Sequence, residues 1–142
     1  MTKEILLTIA GFQKDMDRDD LVEQVVKGEY YYRNGKHYIF YEEIYDAQED
    51  PTPTKCRIVI TDHTVEVVRR GATNNHLFFE KDKKTTTSYL TPFGQILTSF
   101  FTYDLLVEET EDMIKLNLRY ELEMYGEFVS DCEIRLDVKA IR

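Results

Sequence analysis

The sequence predicts an all-β protein that folds as one antiparallel meander barrel of about eight to ten strands. Two observations carry this prediction. Apolar side chains recur at every second position along most of the 142 residues, which is the period of a half-buried strand. Turn signals separate these segments at the spacing of about 8–12 residues that is usual in sandwiches and barrels. Because closure removes the exposed edges of a long meander, we expect residues 1–142 to form a single barrel domain.

The first half of the chain contains five predicted strands. Alternation begins at Ile5–Gly11, and Asn34-Gly35 divides YYYRNGKHYIFYEE into two strands, since Asn-Gly is the strongest short hairpin signal. Lys55–Thr61 and Thr64–Arg70 form the next pair around a two-residue turn. The stretch DAQEDPTPT, Asp46–Thr54, is interpreted as a loop.

One segment in this half fits two structures. In DDLVEQVVKG, the apolar pairs LV and VV have helical spacing, acidic residues precede them as N-cap candidates, and Gly28 follows as a candidate C-cap. We predict a strand over Leu21–Tyr32, because the neighbouring segments are strands and Val-Val followed by three tyrosines favours β-structure.

The second half ends in the clearest hairpin of the chain. Apolar and polar residues alternate through MIKLNLRYELEM, Met113–Met124, and again through Phe128–Lys139, with Tyr125-Gly126 as the turn between them. One face of this hairpin is therefore predicted to be buried and the other solvated. Three further strands are predicted before it: Leu77–Glu80, Thr85–Leu90 and Gln95–Val107.

Composition argues against several functions. The net charge of −9 opposes sequence-independent nucleic-acid binding, which depends on Lys and Arg neutralising phosphates. No apolar run approaches the roughly 18 residues of a membrane span, and the N-terminus does not resemble a secretory signal. We therefore expect a cytoplasmic protein without nucleic-acid or membrane partners, in which Cys56 and Cys132 stay reduced. The 10 Tyr and 8 Phe residues predict a core or cavity wall rich in rings.

Motifs of common enzymes and metal sites do not occur in the sequence. His37, His63 and His76 have no partners at zinc-ligand spacing and are interpreted as turn or surface residues. The run DMDRDD begins like an EF-hand, but Asp20 stands where that loop needs Gly, and Val26 stands where it needs Glu. No P-loop, dinucleotide fingerprint or nucleophile elbow is present. We expect no metal and no cofactor, and we favour a protein that is not an enzyme.

Two charged residues end stripes that are otherwise apolar. Glu43 shares a strand face with Ile39 and Tyr41, and Arg69 follows two valines on the face of another strand. A charge that points into a barrel has to be paired, and pairing Arg69 with Glu43 is the simplest arrangement. Three interpretations stay open: both residues are solvated at the barrel rim, they form a buried structural pair, or they bind a ligand.

Four segments, in this order, resemble one known family: YIFYEE, VVRRG, YLTPFGQILTSFFT and LNLRYELEMYG. They resemble the YwiB-like family of uncharacterised bacterial β-barrel proteins over nearly the whole chain. The family is similar in fold to the calycins, the lipocalin-like barrels, so the resemblance implies the same barrel and no known activity. The chain departs from the family pattern at Lys27-Gly28, where an acidic residue is expected before the Gly. The matching residues are Tyr41, Glu43, Arg69, Gly71, Tyr89, Thr91, Pro92, Gly94, Thr102 and Tyr120.

The most specific of these segments, TSYLTPFG, has two interpretations. Thr91-Pro92 breaks a strand, because Pro cannot donate to a ladder and restricts the residue before it. Gly94 permits the backbone angles of a sharp corner. We predict a structural corner between two strands, and the alternative is a functional loop at the barrel mouth.

The predicted barrel leads to two main hypotheses about function. In the first, the barrel holds one small ligand, acidic or amphipathic, and Arg69 meets its carboxylate or phosphate. In the second, the lumen is filled, and the acidic outer surface binds a basic partner protein or a second copy in a homodimer. An enzyme that uses inward Tyr, Arg and Glu side chains for acid–base chemistry is a third alternative. No catalytic residue is predicted, and the candidate ligand-binding residues are Tyr41, Glu43, Arg69, Tyr89, Thr91, Phe100, Thr102 and Tyr120.

Overall fold

The computed structural model describes residues 3–13, 22–43, 53–71, 74–91 and 94–141, and every helix or strand assigned in those ranges is a β-strand. The predicted strand over Leu21–Tyr32 is confirmed from Val22 onward, because this segment pairs with its neighbours on both sides. The strands are β1 (Glu4–Gln13), β2 (Val22–Arg33), β3 (Lys36–Glu43), β4 (Thr54–Ile60), β5 (Thr64–Arg70), β6 (Asn75–Glu80), β7 (Lys83–Thr91), β8 (Gly94–Glu109), β9 (Met113–Met124) and β10 (Glu127–Ala140).

All ten strands form one antiparallel sheet that curls into a nearly closed barrel, as the sequence predicted. Each strand pairs with its neighbours in sequence, with one exception: β6 and β7 do not pair and are the first and last strands of the sheet. Instead, β1 pairs with β10. The β1–β10 ladder runs from Ile5 opposite Ala140 to Gln13 opposite Cys132. Two meanders, β1–β6 and β7–β10, are therefore joined through the two outermost strands of the chain.

The gap between β6 and β7, here called the seam, is closed by side chains within the described part of the chain. The Thr85 hydroxyl donates to the carbonyl of Phe78, and the Thr87 hydroxyl donates to the carbonyl of His76 at 3.0 Å. These pairs follow the register that a hairpin around Lys81-Asp82 would give. Threonine hydroxyls thus take the place that backbone N–H groups have in an ordinary ladder.

Tight turns connect several of these strands, and left-handed backbone marks them. Asn34 and Gly35 both have positive φ, as do Tyr125 and Gly126, which is the pattern of a type I′ hairpin turn. Gly94 has a φ of +114° and pairs with Thr91, so the predicted corner in TSYLTPFG is a tight hairpin between β7 and β8. Pro92 itself lies outside the described residues, as does the predicted loop Asp46–Thr54 before Pro53; Thr54 opens β4.

The buried core follows from the period-two pattern. Alternate residues face inward along most of the described strands, and the largest fully buried side chains include Phe79, Ile39, Ile60 and Leu118. A β-bulge between Thr102 and Asp104 reverses the pattern of β8, so that Leu105 points inward and Leu106 is 54% exposed. Cys56 and Cys132 are both buried and unbridged.

Candidate functional site

An Arg–Glu pair lies inside one end of the barrel, here called the Arg69 end. The β3–β4 and β4–β5 ladders place Tyr41, Cys56 and Arg69 in one row, since Tyr41 pairs with Cys56 and Cys56 pairs with Arg69. Arg69 Nε donates to Glu43 Oε1 at 3.5 Å, and the side chains are 24% and 7% exposed, respectively. The predicted pairing is thus present, with a buried carboxylate and a partly exposed guanidinium.

Tyr41 and Cys56 surround this carboxylate with neutral groups. The Tyr41 hydroxyl donates to Glu43 Oε1 at 3.3 Å, and the Cys56 thiol donates to the carbonyl of Thr54 at 3.7 Å. Burial raises the pKa of Cys56 to about 11. Burial also raises the pKa of Tyr41 above its usual range. Both groups therefore keep their protons at neutral pH and offer hydrogen-bond donors rather than charges.

Residues at the ends of β4 and β6 complete the cluster. Arg69 Nη1 donates to Asn75 Oδ1 at 3.5 Å. Gly71 follows β5 and has a φ of +144°. A Cβ there would lie 2.6 Å from the carbonyl oxygen of Pro53, so the backbone after β5 passes close to the backbone just before β4. Sequence reasoning missed Asn75 and Cys56, because only the strand register reveals that they share a row with Arg69.

A second inward group consists of aromatic rings. Phe79, Phe100 and Tyr120 pack around one another with ring centroids 5.0–5.4 Å apart. Thr102 pairs with Tyr120 across the β8–β9 ladder and is fully buried. Among the described residues, its hydroxyl is the buried side-chain oxygen that has no hydrogen-bond partner.

Six of the eight predicted ligand-binding residues therefore divide into two groups. Tyr41, Glu43 and Arg69 form the polar group, and Phe100, Thr102 and Tyr120 belong to the aromatic group. Strand β6 connects them, because Asn75 contacts the first group and Phe79, four residues on, packs in the second. The side chains of Tyr89 and Thr91 lie outside the described residues, although their backbone is in β7, opposite Ile96 and Gly94.

The opposite end of the barrel, the His37 end, holds a buried histidine. His37 is 6% exposed, so its interpretation as a turn or surface residue is wrong. Its Nδ1 shares a 2.6 Å hydrogen bond with the Tyr30 hydroxyl, and its Nε2 lies 3.4 Å from Glu109 Oε2. The Tyr30 hydroxyl satisfies one ring nitrogen, and the Glu109 carboxylate lies beside the other, so the buried ring has a polar neighbour on each side. By contrast, His63 and His76 are exposed.

Two features are absent from the described ranges, a metal-binding cluster and a membrane-spanning helix. No group of three or more His, Cys, Asp or Glu side chains is placed to hold a metal ion there. In the same ranges, no helix has the length and apolar character needed to cross a bilayer.

Comparisons with known proteins identify the fold. A sequence profile described as "Domain of unknown function (DUF1934)" matches residues 7–136. The crystal structure of the ywiB protein from Bacillus subtilis superposes with a TM-score of 0.81 at 19% sequence identity, covering 99% of this chain and 93% of that one. No curated protein matches the chain significantly.

Proposed function

The chain belongs to the DUF1934 family, as its resemblance to YwiB-like proteins predicted, and we propose that it is a non-catalytic binder of a small ligand with an anionic head. The head would bind at the Arg69 end, beside Arg69, Tyr41 and Asn75. An apolar tail would extend toward the aromatic group.

The contacts of Arg69 carry this proposal. Its hydrogen bonds to Glu43 and Asn75 are both 3.5 Å long, whereas charge-assisted bonds of this kind typically measure about 2.7–2.9 Å. The Arg69 side chain is 24% exposed, so a ligand at this end of the barrel can reach its guanidinium. Its planar fork matches a carboxylate or phosphate bidentately. The barrel would thus offer the partly exposed Arg69 guanidinium to an anion, while the buried Glu43 carboxylate holds that guanidinium in place.

Two further observations support binding without chemistry. Cys56 and Tyr41 are protonated at neutral pH, so neither is ready to act as a nucleophile or a general base. The buried Thr102 hydroxyl, which has no partner among the described residues, would accept or donate a hydrogen bond to a polar atom in the ligand tail.

Native mass spectrometry of protein purified from its own host tests the proposal. We expect a retained small molecule on the wild type that Arg69→Met loses and Arg70→Met keeps, since Arg70 is exposed and lies on the outer face. Thr102→Val should weaken retention without unfolding the protein. Equal retention by the Arg69→Met and Arg70→Met variants, or an apo wild type that also fails to bind a panel of fatty acids and organic phosphates, would contradict the proposal.

A second candidate function is binding of a protein partner through the outer surface. The fully buried Phe79, Ile39, Ile60 and Leu118 fill much of the barrel near the His37 end. A filled barrel favours this alternative, because it limits a ligand to the Arg69 end.

A further inference from the structure

An exposed apolar patch surrounds the β9–β10 turn at the Arg69 end. Tyr125 is 66% exposed, Phe128 is 59% exposed, and Leu97 beside them on β8 is 45% exposed. The backbone joins these residues, since Tyr125 N donates to the carbonyl of Leu97 at 3.1 Å. This group, here called the hairpin-tip patch, consists of Leu97, Met124, Tyr125, Phe128 and Val129.

The backbone of this turn holds an exposed aromatic residue, Tyr125, in a left-handed conformation. Tyr125 has a φ of +52°, a conformation that bulky residues rarely adopt and that type I′ turns usually give to Asn or Gly. The same chain uses Asn at the equivalent place of another hairpin, where Asn34 has a φ of +54°. The Tyr125 hydroxyl donates to the carbonyl of Gln95 at 2.9 Å, which fixes the ring against the start of β8. Strain of this kind concentrates at functional sites.

Acidic side chains border the hairpin-tip patch. Glu127 pairs with Met124, and Phe128 pairs with Glu123. In the next outward-facing row of the same ladder, beyond the buried pair Ser130 and Leu122, Asp131 pairs with Glu121. Of these four acids, Glu123 forms an ion pair with a described lysine: Lys84 Nζ lies 2.7 Å from Glu123 Oε2. The patch therefore combines aromatic anchors with a surplus of negative charge.

We propose that the hairpin-tip patch is a docking surface for a basic, amphipathic segment of a partner protein. Apolar side chains of that segment would pack on Tyr125 and Phe128, and flanking Lys or Arg residues would meet the acidic border. Charge complementarity selects this occupant: an anionic membrane surface would be repelled by the same acids, and so would the acidic border of a second copy. This docking surface goes beyond the proposed ligand site, because it shares no residue with the Arg69 cluster.

The test uses the full chain and synthetic peptides with two apolar anchors flanked by lysines, with glutamate-flanked peptides of the same anchors as the comparison. Fluorescence anisotropy should show binding of the lysine-flanked peptides alone, weakening as salt is added. Phe128→Ser should reduce their affinity by about tenfold or more, as truncating a central aromatic anchor does. Leu106→Ser is the matched control, since Leu106 is an equally exposed residue outside the patch and should leave affinity unchanged.

Tyr125→Asn separates docking from structure. Asn suits the left-handed position better than Tyr, so this variant should be at least as resistant to denaturant as the wild type and yet lose peptide affinity. Indifference of the affinity to Tyr125→Asn and Phe128→Ser, equal binding of both peptide sets, binding of anionic lipid vesicles instead of peptides, or self-association through this hairpin would each overturn the proposal.

Discussion

At the residue scale, the balance of charge inside the barrel depends on one buried carboxylate. Glu43 accepts hydrogen bonds from Tyr41 and Arg69. The Arg69–Glu43 pair lies at the end of the barrel, where Arg69 is partly exposed to solvent. A buried pair adds little net stability, but losing one partner leaves the other charge uncompensated.

Removing Arg69 should therefore destabilise the protein through Glu43. We expect Arg69→Met to lower the free energy of unfolding by about 2–4 kcal/mol, and Glu43→Gln in the same molecule to restore part of it. Arg70→Met should change it by about 0.5 kcal/mol or less, because Arg70 is exposed. Chemical denaturation of the three variants measures these differences, and similar losses in Arg69→Met and Arg70→Met would show that the pair contributes nothing.

Cys56 should make stability depend on alkaline pH. The folded protein raises the thiol pKa from 9.0 to about 11, so the unfolded chain loses this proton first as pH rises. The contribution is therefore fully present well below pH 9 and is lost as pH rises from 9 to 11, by roughly 1 kcal/mol at pH 10 after allowance for solvent screening. Denaturation at pH 8 to 10 should show a larger loss in the wild type and in Cys132→Ala than in Cys56→Ala, which keeps only the smaller contribution of tyrosines with raised pKa values such as Tyr41. A parallel decrease in Cys56→Ala would assign the effect to another group.

At the element scale, Gly71 allows the end of β5 to lie close to the start of β4. Gly71 combines a positive φ with a Cβ position only 2.6 Å from the carbonyl oxygen of Pro53, and neither constraint can relax without moving backbone. We expect Gly71→Ala to cost about 2 kcal/mol or more. Gly11→Ala is the control, because a Cβ on Gly11 meets nothing within 4 Å. Equal thermal midpoints for the two variants would refute this account.

The strands themselves could be predicted from the sequence because each has one buried and one solvated face. Thr64–Arg70 and Met113–Met124 were predicted with the bounds that the structure gives them. The seam and the β1–β10 ladder could not be predicted, since period two shows which face is buried but not which strand lies alongside. The burial of His37 likewise depends on contacts with Tyr30 of β2 and Glu109 of β8, which the period-two pattern does not reveal. The polar cluster was half predicted: Arg69 and Glu43 end apolar stripes, whereas Asn75 and Cys56 join them only through register.

At the scale of the whole molecule, the two ends of the barrel differ in chemistry. The His37 end is closed by short turns and packed with apolar side chains around a satisfied histidine. The Arg69 end carries the inward charges, the strained Tyr125 turn and the hairpin-tip patch. The candidate functional groups thus lie at one end of the barrel, and much of the apolar packing lies at the other.

The pairing of β1 with β10 brings the first and last strands side by side, so the fold suits circular permutation. Ile141 N donates to the carbonyl of Glu4 at 3.0 Å, so a short linker can join the two ends, and new ends can be opened between Lys81 and Asp82. In that circular permutant, every ladder connects strands that are consecutive in sequence. We expect it to refold about tenfold faster in stopped-flow experiments, because the one long-range ladder has become local. Its seam would then be held by Thr85 and Thr87 without a covalent link, so slower refolding would mean that the Lys81-Asp82 turn organises the barrel.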